Sequence, residues 1–362
     1  MAPLRPRPGI LEIEPYVGGK AEVEGMANVI KLSANEAALG PSPKAMAALR
    51  AAIPVVHRYP DGGARALRQA IGGRFDLDPE HVVCGSGSDE LIQLLMRAYA
   101  GPGDEVLYSA HGFLMYRLAA LATGAHPVAA PERDLRTDVD AMLARVTSRT
   151  RAVFIANPNN PTGSHLTGDE LARMHAGLPE DVLLVIDAAY AEYIDCDGYS
   201  TGQELVERAA NVVMTRTFSK LFGLAALRLG WLYAPPHVID VLHRVRGPFN
   251  VSALAQAAGI AALEDLEHQE RERANNDRWR PWLAQQLAGL GLCVPPSVAN
   301  FVLVGFADAD GEAARAASAW LERHGILARP MAAYGLPQCL RLSVGREDEN
   351  RAVVDRLREF VA

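Results

Sequence analysis

The 362-residue sequence is poor in cysteine, in lysine and in long apolar runs. Its longest apolar stretches, such as 182–186 and 252–263, are shorter than the roughly 20 residues that a membrane helix requires, so no membrane span is predicted. The four cysteines lie far apart and lack the C-x-x-C spacing of metal or redox sites. Residues 1–8 also lack the apolar stretch of a signal peptide. This pattern predicts a cytoplasmic protein without disulfides or a metal centre.

A shortage of clustered positive charge excludes a further class of functions. The formal net charge is −7, and no run of Lys and Arg interrupts the sequence. A chain with this net negative charge is poorly suited to bind nucleic acids or anionic membrane surfaces. With 49% hydrophobic and 22% charged residues, the composition is instead that of a globular protein with a large core.

Lysine is the rarest basic residue. The only lysines are Lys20, Lys31, Lys44 and Lys220, whereas arginine occurs 32 times. Arginine stays protonated and cannot form an imine, but a desolvated lysine can lose its proton and attack a carbonyl group. The isolated Lys220 therefore reflects either chance or a chemical requirement for an amine, and the count alone leaves both open.

Apolar runs alternate with helical patterns over most of the chain. This alternation predicts an α/β fold with a mostly parallel sheet covered on both faces. After residue 250, two long helical patterns precede a strand–helix–strand–strand–helix pattern, which predicts a smaller α+β domain. We therefore predict an N-terminal arm over residues 1–35, a large domain over 36–250 and a small domain over 251–362. The main predicted strands are Glu105–Tyr108, His126–Ala129, Ala152–Ala156, Val182–Ile186, Val212–Thr215, Leu229–Tyr233, Asn300–Val304, Ile326–Arg329 and Leu340–Val344.

Four loops at predicted strand ends carry polar residues. Residues 85–90 (GSGSDE) suit either a phosphate at a helix N-terminus or a simple cap by Ser88. Residues 157–163 (NPNNPTG) form a stiff loop, which is either a plain turn or a fixed hydrogen-bond donor. Asp187 follows an apolar strand and is either a cap or a buried anion with a cationic partner. The fourth loop, 215–220, combines hydroxyl groups with Lys220.

Together these loops predict one cofactor, pyridoxal 5′-phosphate. The cofactor requires a phosphate-binding loop, an imine-forming lysine, an amide, and a carboxylate that keeps the pyridine nitrogen protonated. Because ligands bind at the carboxyl ends of parallel strands, we expect these loops to meet at one edge of the sheet.

Several longer strings resemble a known family. YPDG (59–62), CGSGSDE (84–90), NPNNPTG (157–163), DAAYAEY (187–193) and TRTFSKLFGLAALRLGW (215–231) are similar to the fold-type-I pyridoxal-phosphate-dependent aminotransferases, and most of all to the histidinol-phosphate aminotransferase family. The resemblance extends from PYVGGK, which begins at residue 15, to LPQCLRLSVG, which ends at residue 345. It implies an aspartate aminotransferase-like fold with a large cofactor-binding domain.

The resemblance also implies a role for individual residues. Lys220 is the catalytic residue, which forms the internal aldimine and then shuttles a proton. Asp187 pairs with the pyridinium nitrogen, Asn157 and Tyr190 bind the ring oxygen, and Phe113 stacks on the ring. The cofactor phosphate is held by Ser88, Asp89, Thr217, Ser219 and Arg228.

The remaining implied roles concern the partner subunit and the substrate. Tyr59 is expected to reach the phosphate in the neighbouring subunit, which implies a homodimer. The expected substrate-binding residues are Tyr16, Asn35, Arg329 and Arg341. Two strings near this site depart from the family pattern: N-E-N-P-L-G appears as Asn35-Glu36-Ala37-Ala38-Leu39-Gly40, and P-G-K as Gly18-Gly19-Lys20.

The implied reaction is transamination of L-histidinol phosphate with 2-oxoglutarate, giving imidazole-acetol phosphate and L-glutamate in histidine biosynthesis. An aromatic-amino-acid aminotransferase is the alternative, because both substrates present a flat ring. A pyridoxal-phosphate lyase shares the early chemistry, and a non-catalytic relative is disfavoured by the presence of Lys220, Asp187 and Arg228. A panel of histidinol phosphate, phenylalanine, tyrosine and histidine separates these alternatives.

Overall fold

The computed structural model describes residues 6–7, 9–15, 18–26 and 28–362. The helices of these ranges are α1 (Pro43–Ala52), α2 (Arg65–Phe75), α3 (Ser88–Tyr99), α4 (Leu114–Thr123), α5 (Val139–Leu143), α6 (Gly168–Ala176), α7 (Gln203–Arg208), α8 (Pro236–Val245), α9 (Ala253–Glu264), α10 (Leu266–Gly289), α11 (Glu312–Arg323) and α12 (Glu347–Val361). The strands are β1 (Ile30–Lys31), β2 (Val82–Gly85), β3 (Glu105–Ser109), β4 (His126–Ala130), β5 (Glu132–Arg133), β6 (Arg136–Thr137), β7 (Thr150–Ala156), β8 (Leu183–Asp187), β9 (Val212–Thr217), β10 (Gly230–Tyr233), β11 (Phe301–Gly305), β12 (Ile326–Leu327), β13 (Arg329–Pro330) and β14 (Cys339–Ser343). No helix in the described ranges is both long and apolar enough to cross a membrane.

A seven-stranded sheet forms the centre of the large unit. Its strand order is β2-β10-β9-β8-β7-β3-β4, and only β10 runs antiparallel to its neighbours. The central strands β8 and β9 are buried along their whole length and are mostly apolar, because both faces of the sheet are covered. In β8, for example, Leu184 and Ile186 enter one core while Val185 enters the other. The predicted mostly parallel sheet is confirmed.

A three-stranded antiparallel sheet, β11-β14-β13, forms the small unit with α11 and α12. The single strand predicted over Ile326–Arg329 is divided in the structure. Its first half, β12, pairs in parallel with β1 of the N-terminal segment, and its second half, β13, pairs with β14. The N-terminal segment thereby joins the small unit, where Leu32 lies in the core.

The hydrophobic cores do not divide at residue 250, where the sequence pattern places the domain boundary. Helix α9 packs on α1 and α2, and its Ala255, Ala258 and Ala262 belong to the large core. Gly259 makes this close approach possible, since a Cβ atom there would lie 2.6 Å from Leu229 Cδ2. Farther along, Leu283 and Leu287 of α10 lie in the small core. We propose that the boundary lies within α10.

Candidate active site

A cavity of about 240 Å³ opens between the two units at the carboxyl ends of β7, β8 and β9. This is the edge at which the polar loops are predicted to meet. Twelve of the predicted site residues line the cavity: Asn35, Ser88, Asp89, Phe113, Asp187, Tyr190, Thr217, Ser219, Lys220, Arg228, Arg329 and Arg341. Two others, Tyr59 and Asn157, do not appear in its lining.

Lys220 is half-buried in this cavity, three positions after the end of β9. Its Nζ donates a hydrogen bond to the carbonyl oxygen of Ala34 at 3.2 Å and lies 5.5 Å from the centre of the Tyr190 ring. Burial lowers the pKa of Lys220 to about 8, and the charge of Arg341 acts in the same direction. A larger fraction of the amine is therefore neutral near pH 7 than in an exposed lysine, as a nucleophile or general base requires.

Asp187 ends β8 at the floor of the cavity and is 4% exposed. Its two carboxylate oxygens accept hydrogen bonds from Tyr116 Oη at 2.8 Å and from Thr215 Oγ1 at 3.0 Å. Burial raises the pKa of Asp187 to about 6, and the two hydroxyl donors oppose that rise. Because these donors are neutral, the carboxylate is suited to a cationic group of a ligand.

An anion-binding cup lies at the N-terminus of α3. Gly87 precedes this helix with φ 83°, and a Cβ atom there would lie 2.6 Å from Arg228 Nη2. Arg228 donates to Ser219 Oγ at 3.4 Å and pairs with Asp89 at 3.2 Å. Ser88 is the first residue of the helix and forms no cap bond, so the cap interpretation is wrong. Helix N–H groups, a guanidinium and hydroxyls together suit a phosphate.

Tyr190 and Asn35 form a polar pair on another wall. The Nδ2 of Asn35 donates to Tyr190 Oη at 2.9 Å, and the backbone N–H of Asn35 donates to Ser343 Oγ at 2.8 Å. Burial raises the pKa of Tyr190, so its phenol remains protonated at neutral pH. Asn35 adopts the left-handed conformation with φ 53°, which an asparagine tolerates better than most residues. Phe113, at the start of α4, contributes an aromatic side chain to the same cavity.

Two arginines reach the cavity from the small unit. Arg329 on β13 lies directly opposite Arg341 on β14. Arg341 is buried, donates from Nη2 to the carbonyl oxygen of Ser33 at 2.9 Å, and donates from Nη1 to Oδ1 of Asn160. Two neighbouring guanidinium groups can bind a carboxylate or a phosphate. The cavity therefore has a second place for an anion, formed by residues other than those of the phosphate cup.

The structure places Asn157 away from the predicted contact with the cofactor ring. Its Nδ2 donates to the carbonyl oxygens of Leu166 at 3.1 Å and Ser200 at 3.0 Å, and its Oδ1 accepts from the Leu166 N–H at 2.8 Å. Both side-chain N–H groups of Asn157 therefore already have acceptors, on the loops that contain Leu166 and Ser200. The strand-end position suggested a site residue, but this side chain turns into the protein.

Asn160, three residues later, lines the cavity instead. Arg341 can only donate hydrogen bonds, so Asn160 must present Oδ1 to it. This orientation leaves Nδ2 as a donor, and no acceptor for it occurs among the residues that the structure describes. The sequence signal that could have identified Asn160 is the second Asn-Pro pair within the same loop.

The two remaining tyrosines have different outcomes. Tyr59 is 83% exposed and stacks on Phe249 with 4.7 Å between the ring centres, outside the cavity of its own chain. Its assignment to a neighbouring subunit stays a prediction. Tyr16 lies outside the described residues.

The residues that the structure describes contain no group of three or more His, Cys, Asp or Glu side chains that could hold a metal ion.

Comparisons with known proteins agree with this site. Residues 27–357 match the family described as aminotransferase class I and II. The chain is 61% identical over 356 residues to histidinol-phosphate aminotransferase of Rhodospirillum centenum and 59% identical to that of Paramagnetospirillum magneticum, with 98% of each chain covered in both cases. The crystal structure of the Sinorhizobium meliloti histidinol-phosphate aminotransferase with pyridoxal-5′-phosphate is 30% identical and superposes with a TM-score of 0.91, covering 99% of this chain and 98% of that one.

A more distant structure shows the fold alone. Thermus thermophilus aspartate aminotransferase with maleate is 24% identical, has a TM-score of 0.81, and covers 92% of both chains. The aspartate aminotransferase-like fold expected from the sequence is therefore confirmed. The chain belongs to the class I and II aminotransferase family.

Proposed function

We propose that this protein transfers the amino group of L-histidinol phosphate to 2-oxoglutarate, with pyridoxal 5′-phosphate as cofactor. Relatives named histidinol-phosphate aminotransferase, 51–61% identical over nearly the whole chain, support the proposal. The observation that carries it is the presence of two separate anion sites in one cavity. One is the cup at the N-terminus of α3, and the other is the pair Arg329 and Arg341.

The side chains of the cavity fit this cofactor. Ser88, Thr217, Ser219 and Arg228 would hold its phosphate, and Asp187 would hold its ring nitrogen in the cationic form. When bound, the cofactor supplies an electron sink for the carbanion formed at the substrate carbon. The hydroxyl of Tyr190 and the free Nδ2 of Asn160 would bind the ring oxygen, in place of the Asn157 contact expected from the sequence. Phe113 would cover one face of the ring.

Lys220 is proposed to move the proton. Its Nζ would take the proton from the α-carbon of the substrate, which is efficient when the pKa of the base lies near the working pH. The lowered pKa of about 8 meets this condition. The carbonyl oxygen of Ala34 holds Nζ on the cavity side, while Tyr116 and Thr215 fix the orientation of the Asp187 carboxylate.

Arg329 and Arg341 are proposed to bind the distal anion of each substrate. A phosphate monoester carries a charge of about −1.5 to −2 near neutral pH, more than one guanidinium neutralises. The distal carboxylate of 2-oxoglutarate would use the same two arginines, so one pocket would serve both half-reactions. Asn35 lies beside this pocket, and Tyr16 is assigned to it from the sequence alone.

A homodimer is part of the proposal. Ile53, Val55 and Val56, which are close to Tyr59 in the chain, are exposed, as is Phe249, which stacks on Tyr59, and we infer that these side chains form an apolar patch. A partner subunit that covers this patch would bring Tyr59 towards the second cavity.

The four cysteines are all unpaired, which supports a cytoplasmic location.

The substrate proposal is tested by steady-state kinetics on the four-compound panel. We expect kcat/KM for histidinol phosphate to exceed that for phenylalanine by about 100-fold or more, because a desolvated charged contact is lost with phenylalanine. Arg329→Ala should remove much of this difference while sparing phenylalanine. Equal values for the two substrates in the parent enzyme would favour the aromatic aminotransferase instead.

A further inference from the structure

A buried carboxylate near the start of α10 lies outside the cavity but contacts the segment that forms one of its walls. Glu272 is 2% exposed. Its Oε1 accepts from the Ala38 N–H at 3.0 Å and from Tyr193 Oη at 3.1 Å, and its Oε2 accepts from the Leu39 N–H at 2.9 Å. Burial raises the pKa of Glu272, and these three donors oppose that rise. The carboxylate thus fixes two successive backbone N–H groups.

The backbone that Glu272 holds continues directly into the active site. We call residues 33–39 the active-site segment. Its Ser33 carbonyl accepts from Arg341 at 2.9 Å, and its Ala34 carbonyl accepts from Lys220 at 3.2 Å. Its Asn35 side chain donates to Tyr190 at 2.9 Å. Three residues that are expected to contact the cofactor or substrate therefore depend on the position of this segment.

The active-site segment has no regular secondary structure to hold it in place. It follows the two-residue strand β1, and Asn35 has a positive φ of 53°, a conformation that tertiary contacts must maintain. Asn300 supports its middle by donating to the Asn35 carbonyl at 3.1 Å. Glu272 supports its far end. Without the carboxylate, the N–H groups of Ala38 and Leu39 would lose their acceptors.

We propose that Glu272 is a positioning residue, which sets the active-site segment against Lys220, Tyr190 and Arg341. The inference rests on the proposed aminotransferase function. It also gives a role to one departure from the family motif, because Ala38 has an N–H group that a proline at this position would lack. Helix α10 joins the two units. The contact between Glu272 and the active-site segment therefore also connects this helix to the active site.

The test replaces Glu272 by Gln, which has nearly the same shape but only one accepting oxygen. Glu270→Gln is the matched control, because Glu270 lies on the same helix, is exposed and, among the residues that the structure describes, pairs only with Arg273 at 2.9 Å. Both variants are compared with the parent as cofactor-loaded protein. The first measurement is amide hydrogen exchange of residues 33–39, which we expect to become about 10-fold faster or more in Glu272→Gln alone.

The second measurement is the half-reaction with L-glutamate, followed by the absorbance of the bound cofactor. We expect its rate to fall by about 10-fold or more in Glu272→Gln, while one cofactor remains bound per chain, since the hydrogen bonds of the phosphate cup in the described part of the chain do not involve the active-site segment. A merely structural defect would instead release the cofactor. Faster exchange with an unchanged rate, or no difference from Glu270→Gln, would overturn the proposal.

A second variant covers the case in which Glu272→Gln does not fold. Glu272→Asp keeps the charge but shortens the side chain by one methylene group, so the carboxylate can no longer reach both N–H groups; we expect faster exchange of the active-site segment and a slower half-reaction with glutamate. Parent-like behaviour of Glu272→Asp would then overturn the proposal. A parent enzyme that reacts with glutamate but not with histidinol phosphate would refute the proposed substrate and leave this test valid.

Discussion

Asn157 and Asn160 lie in one loop, yet the structure predicts opposite consequences for their removal. Asn157 is fully buried and makes three hydrogen bonds of 2.8–3.1 Å to the backbone of Leu166 and Ser200. Each such bond contributes about 0.5–1.5 kcal/mol, and a buried N–H left without an acceptor costs about 1–3 kcal/mol. Asn157→Ala should therefore lower the free energy of unfolding by about 2–4 kcal/mol.

Asn160→Ala should affect function more than stability. Within the described residues its side chain makes one hydrogen bond, to Arg341, at a cavity where water can replace the amide. We expect a loss of less than about 1 kcal/mol in the free energy of unfolding. The loss of the Nδ2 donor and of a contact to the substrate arginine should lower kcat/KM by about 10-fold or more.

The assay pairs urea unfolding, followed by far-UV circular dichroism, with kinetics at saturating cofactor. Asn157→Ala should shift the unfolding midpoint while the folded protein keeps most of its kcat/KM. Asn160→Ala should lower kcat/KM while the unfolding midpoint stays close to that of the parent. An Asn157→Ala variant of parental stability with a large loss of kcat/KM would refute this reasoning and restore the role expected from the sequence.

Three further predictions concern the cofactor site and the subunit interface. After removal of the cofactor, the rate at which an aldehyde reacts with Lys220 should rise with pH to a midpoint near 8, because only the neutral amine attacks; a midpoint near 10.5 would contradict the burial argument. Cofactor affinity should fall as the pH is lowered through about 6, since protonated Asp187 no longer stabilises a cation, and titration of Asp187→Asn should show no such dependence on pH. Mixed dimers of Tyr59→Phe with Lys220→Ala should be more active than the mean of their parents, because one cavity then keeps both native side chains. Mixed dimers that show no gain would place Tyr59 in another role.

The sequence by itself determined the sheet and most of the residues at its edge. Strands such as β8 form a continuous apolar run up to their last residue because both faces of the sheet are buried, and that pattern is readable without coordinates. Parallel strands end at a common edge, so Asp187 at the end of β8 and Lys220 after β9 had to lie near each other. The rarity of lysine and the family strings then indicated the chemistry.

Tertiary contacts decided the features that depend on distant parts of the chain. The strand predicted at residues 326–329 is divided into β12 and β13, because β12 pairs with β1 whereas β13 pairs with β14. Helix α9 joins the large unit because its small residues fit against α1 and α2.

Side-chain direction was likewise a matter of tertiary structure. Asn157 and Asn160 are the same residue type beside proline in one loop, and the backbone groups of Leu166 and Ser200 turn the first away from the cavity. Glu272 looks in the sequence like any other acid on a charged helix. Its function arises from two N–H groups that lie more than 230 positions earlier in the chain. Local sequence fixes backbone propensity and apolar pattern, whereas the partner of a polar side chain is chosen by whatever the folded chain brings beside it.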